Sequence, residues 1–448
     1  MRKYFGTDGI RGLAGRELTA SLSYMACKSA SYILKSDYKN KVIIGRDTRL
    51  SGEMLFTAAA AGIMSEGIDV IDAGIIPTPA IAYLTRKLGC AFGIMISASH
   101  NPYEFNGIKF FNEDGFKLSD ETELKIEDLI DHPEKFGEDA VDDKVGVFRK
   151  GESLHRIYID FLKSTVNANL SGLKIAIDTA RGATSTIARS VFTELGAKKV
   201  IIVNENYSGI DINENCGSTH PNIIQNIVLE NNCDIGISYD GDGDRLIAVD
   251  EKGNIMDGDH YLGAVGLYMK KKGLLDNDKI TATVMANIGL TKFCRDNNIE
   301  LVHTSVGDRY VLEEMQKNKG AIGGEQSGHF IFLNDNTTGD GILSSLKLIE
   351  VMLNERKKLS YLNEMVTSYP QVLLNARVKN ENKKNYDNDP EISKLIKEIE
   401  KEFEGEGRVL IRASGTEPLV RVMIEGKDKA KLEEKANVLK NLIEKRLG

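Results

Sequence analysis

Short apolar runs alternate with amphipathic stretches along most of the chain, and this alternation predicts an α/β architecture of sheets covered by helices. Three segments open alike. Val42-Ile43-Ile44-Gly45-Arg46-Asp47, Lys174-Ile175-Ala176-Ile177-Asp178-Thr179 and Thr281-Ala282-Thr283-Val284-Met285-Ala286-Asn287 each run an apolar strand into a polar loop residue, with a helix-compatible stretch after it. They suggest three related α/β units. In the first, Ser51-Gly52 opens a helix expected to carry Met54, Leu55, Ala58 and Ala61 on one face. Further strands are expected at Phe92-Gly93-Ile94-Met95-Ile96 and on both sides of an acidic loop, at 234–239 and 246–250.

The pattern changes after Tyr369-Pro370. Residues 371–379 read as a strand, 380–390 as a polar connection, and 431–447 as a helix with Leu432, Ala436, Leu439 and Ile443 on one face. A charged, irregular stretch from Asp131 to about Gly151 and a turn at Glu251-Lys252-Gly253 supply the remaining boundaries. The expected division is 1–150, 151–253 and 254–368 as α/β domains, then 369–448 as a smaller α+β domain.

Composition narrows the possibilities. The 448 residues, 41% hydrophobic and 28% charged, can bury several ordinary cores. A net charge of -8 with interleaved lysines and acids argues against a nucleic-acid surface, so any phosphate recognition must be local. The start lacks an apolar leader and no window is apolar enough to span a bilayer, which places the protein in the cytoplasm. Five scattered cysteines, without a C-x-x-C pair, are expected to be reduced and mostly structural. The seven histidines show no zinc spacing.

The densest chemistry lies in Asp240-Gly241-Asp242-Gly243-Asp244-Arg245. Three glycine-spaced carboxylates can fold toward one point, and hard oxygen ligands suit Mg²⁺ or Ca²⁺; the same run could also be a solvated acidic turn. An EF-hand is excluded, because Arg245 stands where that loop needs glycine and both flanks read as strands. Arg245 beside three acids suggests a site that also receives an anion.

Other motifs sit at strand ends, where α/β sheets place their sites. Ser97-Ala98-Ser99-His100-Asn101-Pro102 is either a turn or a functional serine loop, and a phosphate on Ser99 would need the cation that the aspartate loop can hold. Arginines in Phe5-Gly6-Thr7-Asp8-Gly9-Ile10-Arg11-Gly12 and Gly45-Arg46-Asp47-Thr48-Arg49 lie in polar or glycine-rich loops. Lys109 emerges from the apolar strand of Asn106-Gly107-Ile108-Lys109-Phe110-Phe111; it either has a lowered pKa and serves in acid–base chemistry or snorkels to solvent. Gly323-Gly324-Glu325-Gln326-Ser327-Gly328-His329 mixes the donors and acceptors that sugar hydroxyls demand. Arg412-Ala413-Ser414-Gly415-Thr416-Glu417-Pro418, with Arg421, makes a phosphate cradle.

In this order, from Tyr4 to Arg421, the motifs resemble the α-D-phosphohexomutase superfamily and, within it, the phosphoglucosamine mutases. The resemblance implies a heart-shaped four-domain fold and reversible conversion of glucosamine 6-phosphate to glucosamine 1-phosphate through a 1,6-bisphosphate, feeding UDP-N-acetylglucosamine and cell-wall precursor synthesis. It makes Ser99 a phosphoserine and, with Asp240, Asp242 and Asp244, a ligand of one Mg²⁺. It gives Glu325, Ser327 and His329 the sugar and Arg412, Ser414, Gly415, Thr416 and Arg421 the distal phosphate, with Arg245 also on the substrate side. Lys109 becomes the general acid or base, assisted by His100 or His329, and Arg11 stabilises the transferring phosphoryl group. Hexose 1,6-bisphosphate is then activator or intermediate, and a homodimer is implied. One departure is Arg181, in Asp178-Thr179-Ala180-Arg181-Gly182, where related chains often carry asparagine. The alternatives are a phosphomannomutase/phosphoglucomutase of the same superfamily, a noncatalytic metal- or sugar-phosphate-binding protein, or a simple phosphatase.

Overall fold

The computed structural model describes residues 3–35, 40–403, 405–414 and 417–448. These residues form four sheets. The first has seven strands, in the order Phe5–Gly6, Gly9–Leu13, Phe105–Phe111, Phe92–Ile96, Lys41–Arg46, Asp69–Ile75, Phe148–Lys150. Its centre is parallel, with Lys41–Arg46 between Phe92–Ile96 and Asp69–Ile75. All five residues of Phe92–Ile96 are buried, as a run lacking alternation requires. The second sheet has five strands, ordered Ile255–Met256, Leu246–Asp250, Ile235–Tyr239, Lys174–Asp178, Lys199–Val203. The third has four, ordered Glu300–Thr304, Lys279–Thr283, Ile322–Gly324, Phe330–Phe332.

Two expectations are corrected. The helix Gly52–Met64 buries Leu55, Phe56, Ala59, Ala60 and Ile63, whereas Met54 is exposed and Ala61 lies outside the buried set. Four consecutive alanines give no apolar contrast, so the phase is set by the helix Ala20–Leu34 packed against this one. The charged stretch after Asp131 is not irregular throughout: Phe148–Lys150 pairs in parallel with Val70–Asp72 as an edge strand. Its three residues are all exposed, so no burial period announces it.

Residues 1–285 and 298–365 form one compact unit, and residues 286–297 and 366–448 a second. The first unit holds the three α/β sheets and is stitched internally by a buried polar network. Asn336 Nδ2 donates to Pro79 O (3.2 Å), Arg86 Nη2 donates to Asn336 Oδ1 (3.1 Å), and Thr337 Oγ1 donates to Gly115 O (2.5 Å). Asp340 caps the helix Gly341–Glu355 and accepts from the Tyr158 hydroxyl at 2.6 Å. Burial pushes the Asp340 carboxyl up to about 6. A carboxyl raised in the folded state contributes stability that is present below the unfolded value of about 3.9 and lost as pH rises through about 6. Urea denaturation of Asp340→Asn is therefore expected to show its stability relative to the parent improving between pH 4 and pH 7, by about 2–3 kcal/mol.

In the second unit, Gln371–Arg377, Leu419–Glu425 and Arg408–Ala413 form an antiparallel sheet in that order. The helices Pro390–Glu402 and Lys429–Leu447 cover it, the latter burying Leu432, Ala436, Leu439 and Ile443. The helix Ile288–Asp296 belongs to this unit, tied by Asn287 Nδ2 donating to Tyr369 O at 2.9 Å.

Candidate active site

Three strand ends deliver three loops to one place in the first unit. Phe92–Ile96 runs into the serine loop, the hairpin of Ile235–Tyr239 and Leu246–Asp250 carries the acidic loop, and the hairpin of Ile322–Gly324 and Phe330–Phe332 carries Glu325 to His329. A bridge between Arg245 and His329 joins the last two loops. The resulting cleft encloses about 550 Å³ and is lined by Arg11, Ser99, His100, Asp244, Arg245 and Glu325, among others.

Ser99 is 2% exposed and takes a left-handed backbone, φ 55°. Its Oγ donates to Asp240 Oδ2 at 2.5 Å and lies 3.4 Å from His100 Nδ1. Ser97 Oγ accepts from Ser99 N at 2.9 Å, so the first serine of the motif shapes the loop that presents the second. Burial, then Arg245 and Arg11, lower His100 to about 4, leaving a neutral imidazole near pH 7.

The carboxylates of Asp240, Asp242 and Asp244 offer oxygens within 4.8 Å of one another. Burial, then Asp244 and Asp242, push Asp240 well above the ordinary carboxylate range. Burial also opposes ionisation of Asp242, but Lys109 holds it below that range. Asp242 Oδ1 and Asp244 Oδ1 are buried without a hydrogen-bond partner among the described residues. Orphaned hard oxygens beside a carboxyl forced toward neutrality fit a divalent cation such as Mg²⁺. Gly241 makes the approach possible, since a Cβ there would stand 2.6 Å from Ser99 O.

Lys109 neither snorkels nor has a lowered pKa. Its Nζ lies 2.7 Å from Asp242 Oδ2, 3.0 Å from Asp8 Oδ2 and 3.6 Å from Asp244 Oδ2. Against the cost of burial, these carboxylates raise its pKa and keep it an ammonium. The expectation failed because the partners arrive from loops distant in sequence.

Several groups at the cleft escape a reading of the sequence alone. Asp8 pairs with Arg11 and, at 2.6 Å, with Lys117, which also meets Asp308 at 2.5 Å. His329 Nε2 lies 3.4 Å from Asp308 Oδ2. Thr78 Oγ1 donates to Asp242 Oδ2 at 2.5 Å. Asp8 stands in a glycine-flanked turn and Asp308 opens a helix directly after Gly307, a faint signal; Lys117 and Thr78 carry none. Gly339 fixes the other side of His329, for a Cβ there would lie 2.3 Å from Nε2.

The sugar-loop residues separate. Glu325 accepts from Gly307 N at 3.1 Å and lines the cleft, whereas Ser327 is exposed at the tip of its turn. Arg412, Ser414 and Arg421 belong to the second unit. There Arg412 and Arg421 face each other across adjacent antiparallel strands, and burial, then Arg421, lower the Arg412 pKa. Like charges directly opposed disfavour the bare pair, and Glu417 Oε2 lies 3.9 Å from Arg421 Nη2. Gly415 and Thr416 lie outside the described residues.

Four family models match the chain in order: phosphoglucomutase/phosphomannomutase domain I over residues 2–136, domain II over 156–253, domain III over 257–369, and the C-terminal domain over 373–441. The phosphoglucosamine mutase of Finegoldia magna is 53% identical over 446 residues, covering 100% of this chain and 99% of the relative. That of Clostridioides difficile is 53% identical over 449 residues, with both chains covered in full. The chain belongs to the phosphoglucosamine mutase family of phosphohexomutases. The fold carries further than the sequence. A Burkholderia thailandensis phosphoglucomutase/phosphomannomutase family protein superposes with a TM-score of 0.83 at 21% identity, covering 100% of this chain and 99% of its own. The Aspergillus fumigatus N-acetylphosphoglucosamine mutase, solved with GlcNAc-6P and magnesium, gives 0.71 at 17% identity, covering 99% of this chain and 96% of its own. The protein is thus an isomerase of four-domain architecture, and no helix among its described residues is long and apolar enough to cross a membrane.

Proposed function

We propose that this family member interconverts glucosamine 6-phosphate and glucosamine 1-phosphate, with Ser99 carrying the phosphoryl group. The observation that carries the reading is Ser99 Oγ, buried and 2.5 Å from Asp240 Oδ2 at the acidic triad. In the first half-reaction the Oγ–P bond of phosphoserine breaks as sugar O1 forms a bond to phosphorus, and the O1 proton leaves to a base. The 1,6-bisphosphate turns over within the site. The O6–P bond then breaks, Oγ recovers the phosphoryl group, and O6 takes up a proton.

Asp240, Asp242, Asp244 and Ser99 would hold Mg²⁺, which when bound neutralises charge on the transferring oxygens. Arg11 Nε is buried without a hydrogen-bond partner among the described residues, and its guanidinium lines the cleft to meet the phosphoryl oxygens. Lys109, an ammonium held by Asp8 and Asp242, is suited to neutralise charge at the transferring group rather than to give up a proton, and His100, 3.4 Å from Ser99 Oγ, is the candidate proton carrier. His329 serves as a second proton carrier beside Asp308. Glu325 and Ser327 take sugar hydroxyls, Arg245 the substrate's anionic side, and Arg412, Ser414, Gly415, Thr416 and Arg421 the distal phosphate. The resulting product would feed UDP-N-acetylglucosamine and cell-wall precursor synthesis. A cytoplasmic location belongs to the same reading, as does a homodimeric assembly, which rests on family resemblance.

The test compares kcat/KM on glucosamine, mannose and glucose phosphates. A glucosamine preference below parity would hand the chain to the phosphomannomutase/phosphoglucomutase reading. Chelation of divalent cations is expected to abolish turnover and added Mg²⁺ to restore it, whereas Asp242→Asn stays inactive at any Mg²⁺ concentration while retaining a folded far-UV circular dichroism spectrum.

A further inference from the structure

Arg181, the departure noted in the sequence, has a task in the structure. Its Nη1 donates to the carbonyl oxygens of Asp211 (3.2 Å) and Glu214 (3.0 Å), bracing the turn on both sides of Asn213. Thr48 Oγ1 donates to Arg181 O at 2.6 Å, anchoring this brace to the first α/β domain. Asn213 is buried, stands at φ 61° and donates its backbone N–H to Ala180 O at 2.9 Å.

The Asn213 side chain then reaches the serine loop. Nδ2 donates to Ser99 O at 2.9 Å and to Asn101 O at 3.1 Å. Arg49 Nη2 donates to the same two carbonyls, at 3.1 and 2.5 Å, while its own guanidinium is buried against Asp47. Two donors from different domains therefore converge on one pair of acceptors flanking His100. Ser99 at φ 55° is in a conformation that a non-glycine residue keeps only when its surroundings impose it. A carbonyl held by two donors is pinned, so the backbone that carries the Ser99 Cβ cannot turn away from Asp240. The acidic loop rests on the same clamp: a Cβ on Gly241 would lie 2.6 Å from Ser99 O and 2.8 Å from Asn213 Nδ2.

We propose that Asn213, braced by Arg181 and paired with Arg49, is a positioning residue that holds Ser99 in its transfer-competent conformation and registers it against the acidic loop. This rests on the reading of Ser99 as the phosphoryl carrier. Asn213 touches neither Ser99 Oγ nor the acidic side chains among its hydrogen bonds, so it acts through the backbone of the loop.

In the full chain, Asn213→Gly tolerates the positive φ but removes the donor, and Asn213→Asp keeps the shape but sets a carboxylate oxygen against two carbonyls. Asn213→Gly is expected to lower kcat about 10–100-fold, and Asn213→Asp further, because small misplacement of a reacting atom costs that much. KM for glucosamine 6-phosphate stays within about threefold, since the cleft lining is untouched. Phosphorylation of Ser99 by glucose 1,6-bisphosphate, followed by intact mass, slows by the same factor as kcat. Arg181→Asn, which loosens only the brace, loses kcat by a smaller factor at unchanged KM. Asn213→Gly with kcat within threefold of the parent overturns the proposal, as does a loss of kcat matched by an equal rise in KM. If both Asn213 variants fail to melt cooperatively, Arg181→Asn decides: parental kcat overturns the proposal, and reduced kcat at unchanged KM supports it. An unsubstituted chain that never takes phosphate from the bisphosphate defeats the phosphoserine reading itself; an active parent with unaffected variants defeats only the clamp.

Discussion

Ser99→Ala is expected to lose mutase turnover by about four orders of magnitude or more, the scale seen when a covalent nucleophile is removed. The loss follows from place as well as chemistry. Ser99 Oγ meets Asp240 Oδ2 at 2.5 Å in a buried site, so alanine deletes both the phosphoryl carrier and an oxygen facing the acidic triad. Stability is expected to change little. Alanine has the same Cβ as serine at φ 55°, and the backbone carbonyl keeps its donors from Arg49 and Asn213. Intact mass provides the second readout: one added phosphate on the parent after exposure to a hexose bisphosphate and none on the variant. A phosphorylated Ser99→Ala would move the carrier elsewhere.

Lys109→Met has the larger structural consequence. The ammonium sits within 3.0 Å of both Asp242 Oδ2 and Asp8 Oδ2, and removing it leaves one buried and one part-buried carboxylate short of a partner. Breaking a buried pair in this way costs about 3–5 kcal/mol. The pH dependence has a definite sign. Burial opposes the ionisation of Asp8, but Lys109, Lys117 and Arg11 hold its pKa well below the ordinary value. Its contribution is therefore present above the unfolded carboxylate value of about 3.9 and lost as pH falls through the lowered folded value. Losing Lys109 narrows that gap. Urea denaturation should show the deficit of Lys109→Met at pH 7 shrinking toward pH 4, where the abandoned carboxylates begin to protonate. A deficit independent of pH would mean that packing, not charge, is what Lys109 supplies. Turnover should be lost with stability, and Lys109→Arg should recover more of the stability than of the turnover, because a fork replaces a point charge.

Much of the site is legible in the chain because each of its loops is a local event. Three aspartates spaced by glycines converge through the geometry of six residues, and the structure places carboxylate oxygens of all three within 4.8 Å of one another. The strand before Ser97, the hairpin around the acidic loop and the closing helix with Leu432, Ala436, Leu439 and Ile443 inside are likewise written in short-range periodicity. Phase fails where side chains are uniform, as in the alanines of Gly52–Met64, and exposed edge pairing fails where burial gives no pattern, as in Phe148–Lys150.

The sequence by itself determined most of the strand and helix succession and the placing of the acidic and serine loops at strand ends, because these depend on neighbours within a few residues. Only the tertiary structure decided the charge state of Lys109, the partnership of Asp8, Lys117 and Asp308, and the hold of Arg49 and Asn213 on the serine loop. Each depends on groups brought together from distant loops in a buried setting, where removal from water makes an ammonium or a carbonyl answer to whatever charge lies within a few ångströms, and residue spacing along the chain carries no record of that distance.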